Sequence, residues 1–267
     1  MELITSRRNP LVGRLRALQQ AKGRREQGLL LLEGTHLFQE VVRLGLPPER
    51  VLATPAWIER HPALADSCLA PLQPVGDAVL EAVATTETPD GVVLTLPLSA
   101  LPVAAGGGSW VLALDQLQDP GNLGTLLRTA LAAGVQELWL GGGADPWQPK
   151  VLRASAGAAL ALPTRRDPDR DALKRQIERA RQAGHQVVAS LVDGSRSIPY
   201  WDLDWTLPTV LLLGNEGAGL HPDLAELATH CVTIPHSPAV ESLNVAVAAA
   251  PLLLERTRQQ QNGAPGT

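Results

Sequence analysis

Apolar residues recur in short uninterrupted runs, and stretches with helical spacing separate these runs. Residues 110–114 and 210–213 are runs of the kind found in fully buried strands of parallel sheets. From residue 110 onward strands and helices alternate, which predicts an α/β fold with a mostly parallel sheet covered by helices. Strands are predicted near residues 110–114, 135–140, 186–190, 209–213 and 231–234, and helices near 121–133, 148–160, 169–183, 222–229 and 242–258.

The first hundred residues predict a smaller α/β unit of their own. Its predicted helices are 10–27, 35–44 and 77–84, and its predicted strands are 29–32, 50–53 and 92–96. Residues 97–109 then show no periodicity and carry two prolines and a glycine triplet, as flexible linkers do. We therefore expect an N-terminal domain (1–97), a linker (98–109), a second domain (110–258) and a short disordered tail (259–267).

Composition points to an enzyme-sized chain inside the cell. With 267 residues it is long enough for one large or two ordinary domains, and it has only two cysteines, Cys68 and Cys231. The sequence shows no cysteine framework and no charged-then-apolar leader. The longest apolar stretch, from Val245 to Leu254, is too short to span a bilayer and contains Pro251. We expect a cytoplasmic protein with no membrane partner.

Charge is distributed unevenly along the chain. The net charge is −4, yet residues 1–28 contain seven basic and two acidic side chains. A short basic arm on an acidic body is typical of a protein that holds a polyanion at one end, although a solvated helix face gives the same pattern. The candidate RNA-binding residues are Arg7, Arg8, Arg14, Arg16, Arg24 and Arg25.

Three hydrophobic segments border polar clusters. Residues 115–122 follow one buried strand, residues 214–219 follow another, and residues 241–244 open the most apolar helix candidate. Because ligands bind beyond the carboxyl ends of the strands in open α/β sheets, the three clusters suggest one site. For the last cluster we expect the helix to begin at Ser242. Ser242 is then either a simple N-cap or part of a ligand site formed by the first-turn amides.

Other ligand classes lack support in the sequence. The six histidines show no metal-ligand spacing, so no metal is predicted. The glycines between residues 214 and 219 do not fit the dinucleotide pattern G-x-G-x-x-G.

Three ordered motifs resemble those of the SpoU family of RNA ribose 2'-O-methyltransferases, in the SPOUT superfamily. They are Asn122-Leu-Gly-Thr-Leu-Leu-Arg128-Thr-Ala130, Leu213-Gly-Asn-Glu-Gly-Ala-Gly-Leu220, and Ile234-Pro235 followed by Glu241-Ser-Leu-Asn-Val-Ala-Val247. Thr88-Pro-Asp-Gly91-Val92 and Lys150-Val-Leu-Arg-Ala-Ser-Ala-Gly157 are flanking matches. The resemblance covers residues 88 to 256, and the N-terminal part is similar to the family's small RNA-binding domain more loosely.

This resemblance implies a fold that periodicity does not predict. The C-terminal domain would be a trefoil-knotted α/β methyltransferase domain, with the C-terminal segment threaded through a loop. The family also implies a homodimer that builds its active site between two subunits. The implied cofactor is S-adenosylmethionine. The implied substrate is RNA, and ribosomal RNA is favoured over transfer RNA.

The resemblance also assigns roles to residues. Gly214, Ile234 and Leu243 match the family's cofactor-binding positions. The matches to its polar catalytic set are Asn122, Arg128, Glu216, Ser242 and Asn244. For Arg128 two roles compete: a bidentate grip on the phosphate next to the target ribose, or proton removal, which requires a greatly lowered guanidinium pKa.

One segment departs from the family pattern. After Ile234-Pro235 the family usually has Met, a small residue and Gly, whereas this chain has His236-Ser237-Pro238-Ala239. Because the polar set is present, we expect activity to be retained. Two other hypotheses are a non-catalytic RNA-binding protein that keeps the fold and, less supported, a nucleotide-binding dehydrogenase with affinity for NAD.

Overall fold

A computed structural model of the chain describes residues 2–191 and 197–263. They divide into two compact units, one within Met1–Pro102 and Asp145–Ala161 and the other within Val103–Ala144 and Leu162–Thr267. The first division falls in the predicted linker. The assignment of Asp145–Ala161 to the first unit differs from the predicted domain limits, which placed this segment in the second domain.

The elements follow the predicted alternation, with additions. The helices are α1 (Pro10–Ala17), α2 (Ala21–Gln27), α3 (Thr35–Arg43), α4 (Pro55–Arg60), α5 (Pro62–Asp66), α6 (Asp77–Val83), α7 (Pro120–Ala132), α8 (Pro149–Ala154), α9 (Ala158–Ala161), α10 (Arg170–Gln182), α11 (Pro222–Ala225) and α12 (Val245–Gly263). The strands are β1 (Leu29–Glu33), β2 (Arg50–Ala53), β3 (Leu72–Pro74), β4 (Val92–Pro97), β5 (Trp110–Asp115), β6 (Glu137–Gly141), β7 (Thr164–Asp167), β8 (Gln186–Ser190), β9 (Ser197–Pro199), β10 (Thr209–Leu213) and β11 (His230–Thr233).

The first unit is built on a small mixed sheet in the order β1-β4-β2-β3. β4 pairs antiparallel with both β1 and β2, while β2 and β3 are parallel. Helix α8 packs against β1 because its apolar side chains Val151 and Leu152 are buried in this unit. That packing explains why a segment between residues 122–130 and residues 213–220 belongs to the first unit.

The second unit contains a seven-stranded sheet in the order β7-β6-β5-β10-β8-β11-β9, and every pairing in it is parallel. The predicted parallel α/β fold is confirmed. The sequence missed the edge strands β7 and β9, since the first reads Thr-Arg-Arg-Asp and the second is three residues long. None of the helices in the described ranges is long and apolar enough to cross a membrane.

Four predicted elements need correction. The single helix at 10–27 is two helices, and so is that at 148–160, where left-handed Ala156 and Gly157 interrupt it. The last helix begins at Val245 instead of Ser242. It also continues to Gly263, so residues 259–263 are helical instead of disordered, and residues 264–267 lie outside the described part of the chain.

The glycine triplet of the predicted flexible linker is anchored. The amides of Gly106, Gly107 and Gly108 all donate to the Glu137 carboxylate, at 2.9 to 3.1 Å. Trp139 Nε1 donates to the same carboxylate at 2.9 Å. Successive backbone amides form such a nest for an anion because glycine lets the chain curl around it.

Candidate active site

A cavity of about 530 Å³ lies where several strands of the large sheet end. It is lined by residues that follow β10, β8 and β11, and by the segment that leads into α12. The three strand ends are all carboxyl ends of parallel strands, where open α/β sheets bind ligands. The lining includes seven of the eight residues predicted to be catalytic or cofactor-binding: Asn122, Gly214, Glu216, Ile234, Ser242, Leu243 and Asn244.

Three polar side chains of this set form one hydrogen-bonded chain. Asn244 Nδ2 donates to Asn122 Oδ1 at 3.0 Å, and Asn122 Nδ2 donates to Glu216 Oε1 at 3.3 Å. The Glu216 carboxylate also accepts from the amides of Gln118 and Asp119, at 3.0 and 2.9 Å. The chain joins the start of α12, the first turn of α7 and the loop after β10.

Glu216 carries the negative charge of this network. Burial by itself raises the pKa of the Glu216 carboxyl, but hydrogen bonds from backbone amides, among them those of Gln118 and Asp119, and from the Asn122 side chain together lower the pKa below its ordinary value of 4.5. Glu216 is therefore ionised at neutral pH. An ionised carboxylate can only accept hydrogen bonds, which fixes Asn122 with its amide nitrogen toward Glu216 and its oxygen toward Asn244.

Asn244, and not Ser242, caps helix α12. Asn244 Oδ1 accepts from the amides of Ala246 and Val247, at 2.9 and 3.3 Å. Of the two alternatives for Ser242, the simple N-cap is therefore wrong. Ser242 and Asn244 are both exposed at the cavity. The residue that caps α12, Asn244, is therefore also one of the candidate catalytic residues.

Gly214 is required by the loop that follows it. A Cβ at this position would lie 2.1 Å from Leu220 N and 2.2 Å from the carbonyl carbon of Gly219. The loop folds back because Asn215 and Gly219 exchange two backbone hydrogen bonds, at 2.9 and 3.0 Å. A side chain at this position would therefore collide with the protein's own backbone.

Arg128 is the one catalytic candidate that the fold does not bring to this cavity. It lies on the exposed side of α7 and is absent from the cavity lining. Within residues 2–191 and 197–263 its guanidinium makes no hydrogen bond or ion pair. In a single chain, then, Glu216, Ser242 and Asn244 do not orient Arg128.

The basic arm separates into three groups. Arg8, Arg14, Arg16 and Arg25 are exposed on or beside α1 and α2. Arg7 is exposed but paired with Glu81 at 2.8 Å.

Arg24 belongs to the interior, and its assignment to RNA binding is corrected. Its side chain is 5% exposed, and its guanidinium donates to Leu18 O, Gln19 O and Asp145 Oδ2. These bonds hold the turn between α1 and α2, so the Arg24 side chain is not available to a phosphate. Residue type alone could not reveal this.

Gln116 is a positioning residue that the sequence pattern did not indicate. It lies directly after β5 and adopts a left-handed conformation with φ 56°, which is uncommon outside glycine. Its carbonyl accepts from Asn215 Nδ2 at 2.8 Å and from Gln118 Nε2 at 3.0 Å. This turn aims the amides of Gln118 and Asp119 at Glu216. No periodic pattern marks such a residue.

Metal chemistry has no visible site in the described part of the chain. Among residues 2–191 and 197–263, no group of three or more His, Cys, Asp or Glu side chains could hold a metal ion.

Comparisons with known proteins agree with this geometry. A model of the SpoU rRNA Methylase family matches residues 109–254, and a model of the MRM3-like substrate binding domain matches residues 9–94. An uncharacterized tRNA/rRNA methyltransferase of Synechocystis sp. is 44% identical, over 96% of this chain and 94% of that protein. The 23S rRNA (guanosine(2553)-2'-O)-methyltransferase of Bacillus subtilis is 32% identical, over 95% and 98%.

A solved structure gives the same result in three dimensions. The AdoMet-bound rRNA methyltransferase from Sinorhizobium meliloti superposes with a TM-score of 0.83 and 32% identity, over 97% of this chain and 98% of that one.

Proposed function

The chain belongs to the SpoU rRNA methylase family, and we propose from this that it transfers a methyl group from S-adenosylmethionine to a ribose 2'-hydroxyl of ribosomal RNA. The observation that carries the proposal is the hydrogen-bonded chain Asn244–Asn122–Glu216 at the edge of the cavity. It places polar groups from three family motifs around one point.

The cavity fits the cofactor in size and chemistry. A volume of about 530 Å³ is within the range of small-molecule sites, and its walls combine apolar side chains with backbone groups. Leu213, Ile234 and Leu243 supply apolar surface, and the loop from Gly214 to Leu220 supplies peptide groups. When bound, S-adenosylmethionine supplies an activated methyl on a sulfonium with a good leaving group.

The protein then has to align the ribose 2'-hydroxyl with the methyl carbon. Ser242 and Asn244 are exposed at the cavity and can hydrogen-bond to a ribose hydroxyl. Glu216 fixes Asn122, and Asn122 in turn fixes the Asn244 amide. For Arg128 we propose phosphate positioning, since its planar fork suits a phosphate and an arginine is a poor base.

We further propose that the active unit is a homodimer in which Arg128 serves the site of the partner subunit. Arg128 does not line the cavity of its own chain. Apolar side chains are exposed beside the cavity and along α12: Val240, Leu243, Val247 and Leu254 are 36 to 62% exposed. An exposed apolar set of this kind is typical of a subunit interface.

Complementation separates a shared site from a site within one chain. Arg128→Ala and Glu216→Gln should each be inactive, and heterodimers formed from the two should regain methyl transfer. In such a heterodimer one site has an intact Glu216 and receives Arg128 from the other chain. Absence of regained activity in verified heterodimers would place Arg128 in its own chain's site. Size analysis of Val247→Glu tests the interface, and a monomer is expected.

The trefoil knot remains part of the proposal. It is supported by membership of the family and by the cavity, where the loop after β10 and the segment before α12 line one space.

Calorimetry and methyl transfer test the function itself. Purified protein should bind S-adenosylmethionine and not NAD, and should label ribosomal RNA at ribose 2'-hydroxyls. An absence of S-adenosylmethionine binding would leave the non-catalytic RNA-binding hypothesis. Near-normal turnover of Arg128→Ala would remove Arg128 from the mechanism.

We place the reaction in the cytoplasm and expect the first unit to hold the RNA, as its match to a substrate-binding domain supports. Mapping the 2'-O-methyl groups that disappear from the RNA of a deletion strain identifies the nucleotide.

A further inference from the structure

His236 lines the cavity in the segment that follows β11. Ser190 and Leu191, at the end of the neighbouring strand β8, line the cavity too. The polar chain lies instead beyond β5 and β10. In the order β5-β10-β8-β11, strands β5 and β11 are three spacings apart, roughly 14 Å.

The hydrogen bond of the His236 ring shows which of its two nitrogens is free to bind a ligand. Nδ1 lies 2.7 Å from Ile234 O. A carbonyl oxygen only accepts, so Nδ1 carries a proton, and in the neutral tautomer with that proton Nε2 is an acceptor. In the described segments of the chain, Nε2 has no hydrogen-bond partner.

The residues after His236 hold its loop in place. Ser237 Oγ accepts from Ala239 N at 3.2 Å, and Ser237 O accepts from Val240 N at 3.3 Å. Pro238 between them has a fixed φ, which reduces the freedom of the loop further. The imidazole is thus presented by a braced turn, and the ring itself is fixed by the bond to Ile234.

We propose that His236 is a specificity-determining residue for the cofactor, whose Nε2 accepts a hydrogen bond from an N–H donor of the cofactor that lies away from the reacting methyl. The inference rests on the proposed function. Two groups of S-adenosylmethionine have this chemistry, the adenine 6-amino group and the methionine amino group. A thioether is only a weak acceptor, so a methionine at position 236 would not make an equivalent hydrogen bond.

Binding measurements with cofactor fragments test this hydrogen bond without any turnover. The probes are S-adenosylhomocysteine, S-inosylhomocysteine, which lacks the 6-amino group, and 5'-methylthioadenosine, which lacks the amino acid. Calorimetry with His236→Met should give about fivefold to tenfold weaker binding of S-adenosylhomocysteine than the unsubstituted protein, the range of one net hydrogen bond. The weakening should disappear for the probe that lacks the donor, and this identifies which donor is read.

Controls separate a direct hydrogen bond from a structural effect. His236→Gln keeps a side-chain acceptor and should recover part of the affinity. His230→Met changes the histidine at the amino end of β11, the strand that precedes His236. Because His230 does not line the cavity, this variant should bind all three probes normally. Equal weakening for all three probes, or none, would overturn the inference. Failure of the unsubstituted protein to bind S-adenosylhomocysteine would instead overturn the proposed function.

Discussion

At the scale of single residues, the candidate site depends on Asn122 as a bridge. Its amide nitrogen donates to Glu216 and its oxygen accepts from Asn244. Glu216 is itself fixed by two backbone amides that belong to the turn after Gln116. A side chain held at both ends keeps one orientation, which is the condition for aligning a reacting hydroxyl.

Asn122→Ala should lower methyl transfer by about tenfold to hundredfold, because it removes two hydrogen bonds that hold Asn244 and Glu216. The affinity for S-adenosylhomocysteine should change little. Kinetics and calorimetry measure the two effects, and Thr125→Ala, on the exposed side of the same helix, is the matched control. Normal turnover in Asn122→Ala would contradict the bridging role.

Glu33 gives the first unit a predicted acid sensitivity. Burial raises the pKa of this carboxyl, but hydrogen bonds from Thr86 and Thr85 outweigh it and lower the pKa below its ordinary value of 4.5. A lowered folded-state pKa means that the carboxylate stabilises the fold above that ordinary value. This stabilisation is lost as pH falls through the folded-state pKa.

Glu33→Gln should therefore lower the free energy of unfolding at about pH 7 by about 1 to 3 kcal/mol and flatten its decline in acid. Urea unfolding from about pH 7 to about pH 3.5 measures both. Glu59→Gln, at an exposed position of the same unit, should follow the unsubstituted protein. An unchanged acid slope in Glu33→Gln would exclude Glu33 as its source.

At the scale of elements, the start of α12 combines a cap with a site. Asn244 Oδ1 accepts from two first-turn amides, while Nδ2 donates to Asn122. The two atoms of one amide group thus have different tasks. Asparagine is the residue type that can perform both, because aspartate has no donor and serine has a shorter reach.

Substitutions at Asn244 should separate these tasks. Asn244→Asp keeps the cap, so its free energy of unfolding should stay near that of the unsubstituted protein while methyl transfer falls. Asn244→Ala should remove both, with a decrease of about 1 kcal/mol in stability. Ser242→Ala should leave the stability unchanged. Denaturation and methyl-transfer assays check the set, and a stable Asn244→Ala would show that the cap contributes little.

At the scale of the whole molecule, the N-terminal arm is basic, but only some of its arginines are exposed and available to a phosphate. Arg14 and Arg16 are exposed, whereas Arg24 is buried and bonded to Asp145. Phosphate contacts by exposed arginines release counterions, so they set the salt dependence of RNA binding. A buried arginine contributes to folding instead.

The double substitution Arg14→Ala with Arg16→Ala should weaken RNA binding and reduce the slope of log affinity against log salt by roughly 0.7 to 0.9 for each phosphate that is no longer neutralised. Filter binding at several salt concentrations measures the slope. Arg43→Ala, an exposed arginine of the same unit that is paired with Glu40 at 2.6 Å, should leave it nearly unchanged. If the unsubstituted protein, the double variant and Arg43→Ala all gave equal slopes, Arg14 and Arg16 would not belong to the RNA-binding surface.

Local sequence pattern was sufficient to predict the parallel α/β class, the polar strand ends and most strand positions. Strands β2, β8 and β10 begin and end where the apolar pattern predicted. This succeeded because the period of buried residues is a local property of the chain. The motifs around Asn122, Glu216 and Asn244 were legible for the same reason: each is a contiguous segment.

Which neighbours these segments meet is visible only in the folded chain. Burial of Arg24, the carboxylate nest of Glu137 and the inclusion of Asp145–Ala161 in the first unit each depend on partners distant in sequence. Asn244 is the cap, and Ser242 is not, because α12 begins at Val245. Helix α12 packs against α7, which is distant in sequence. Local pattern gives a residue's chemistry, but its partners are set by how the whole chain satisfies its buried polar groups.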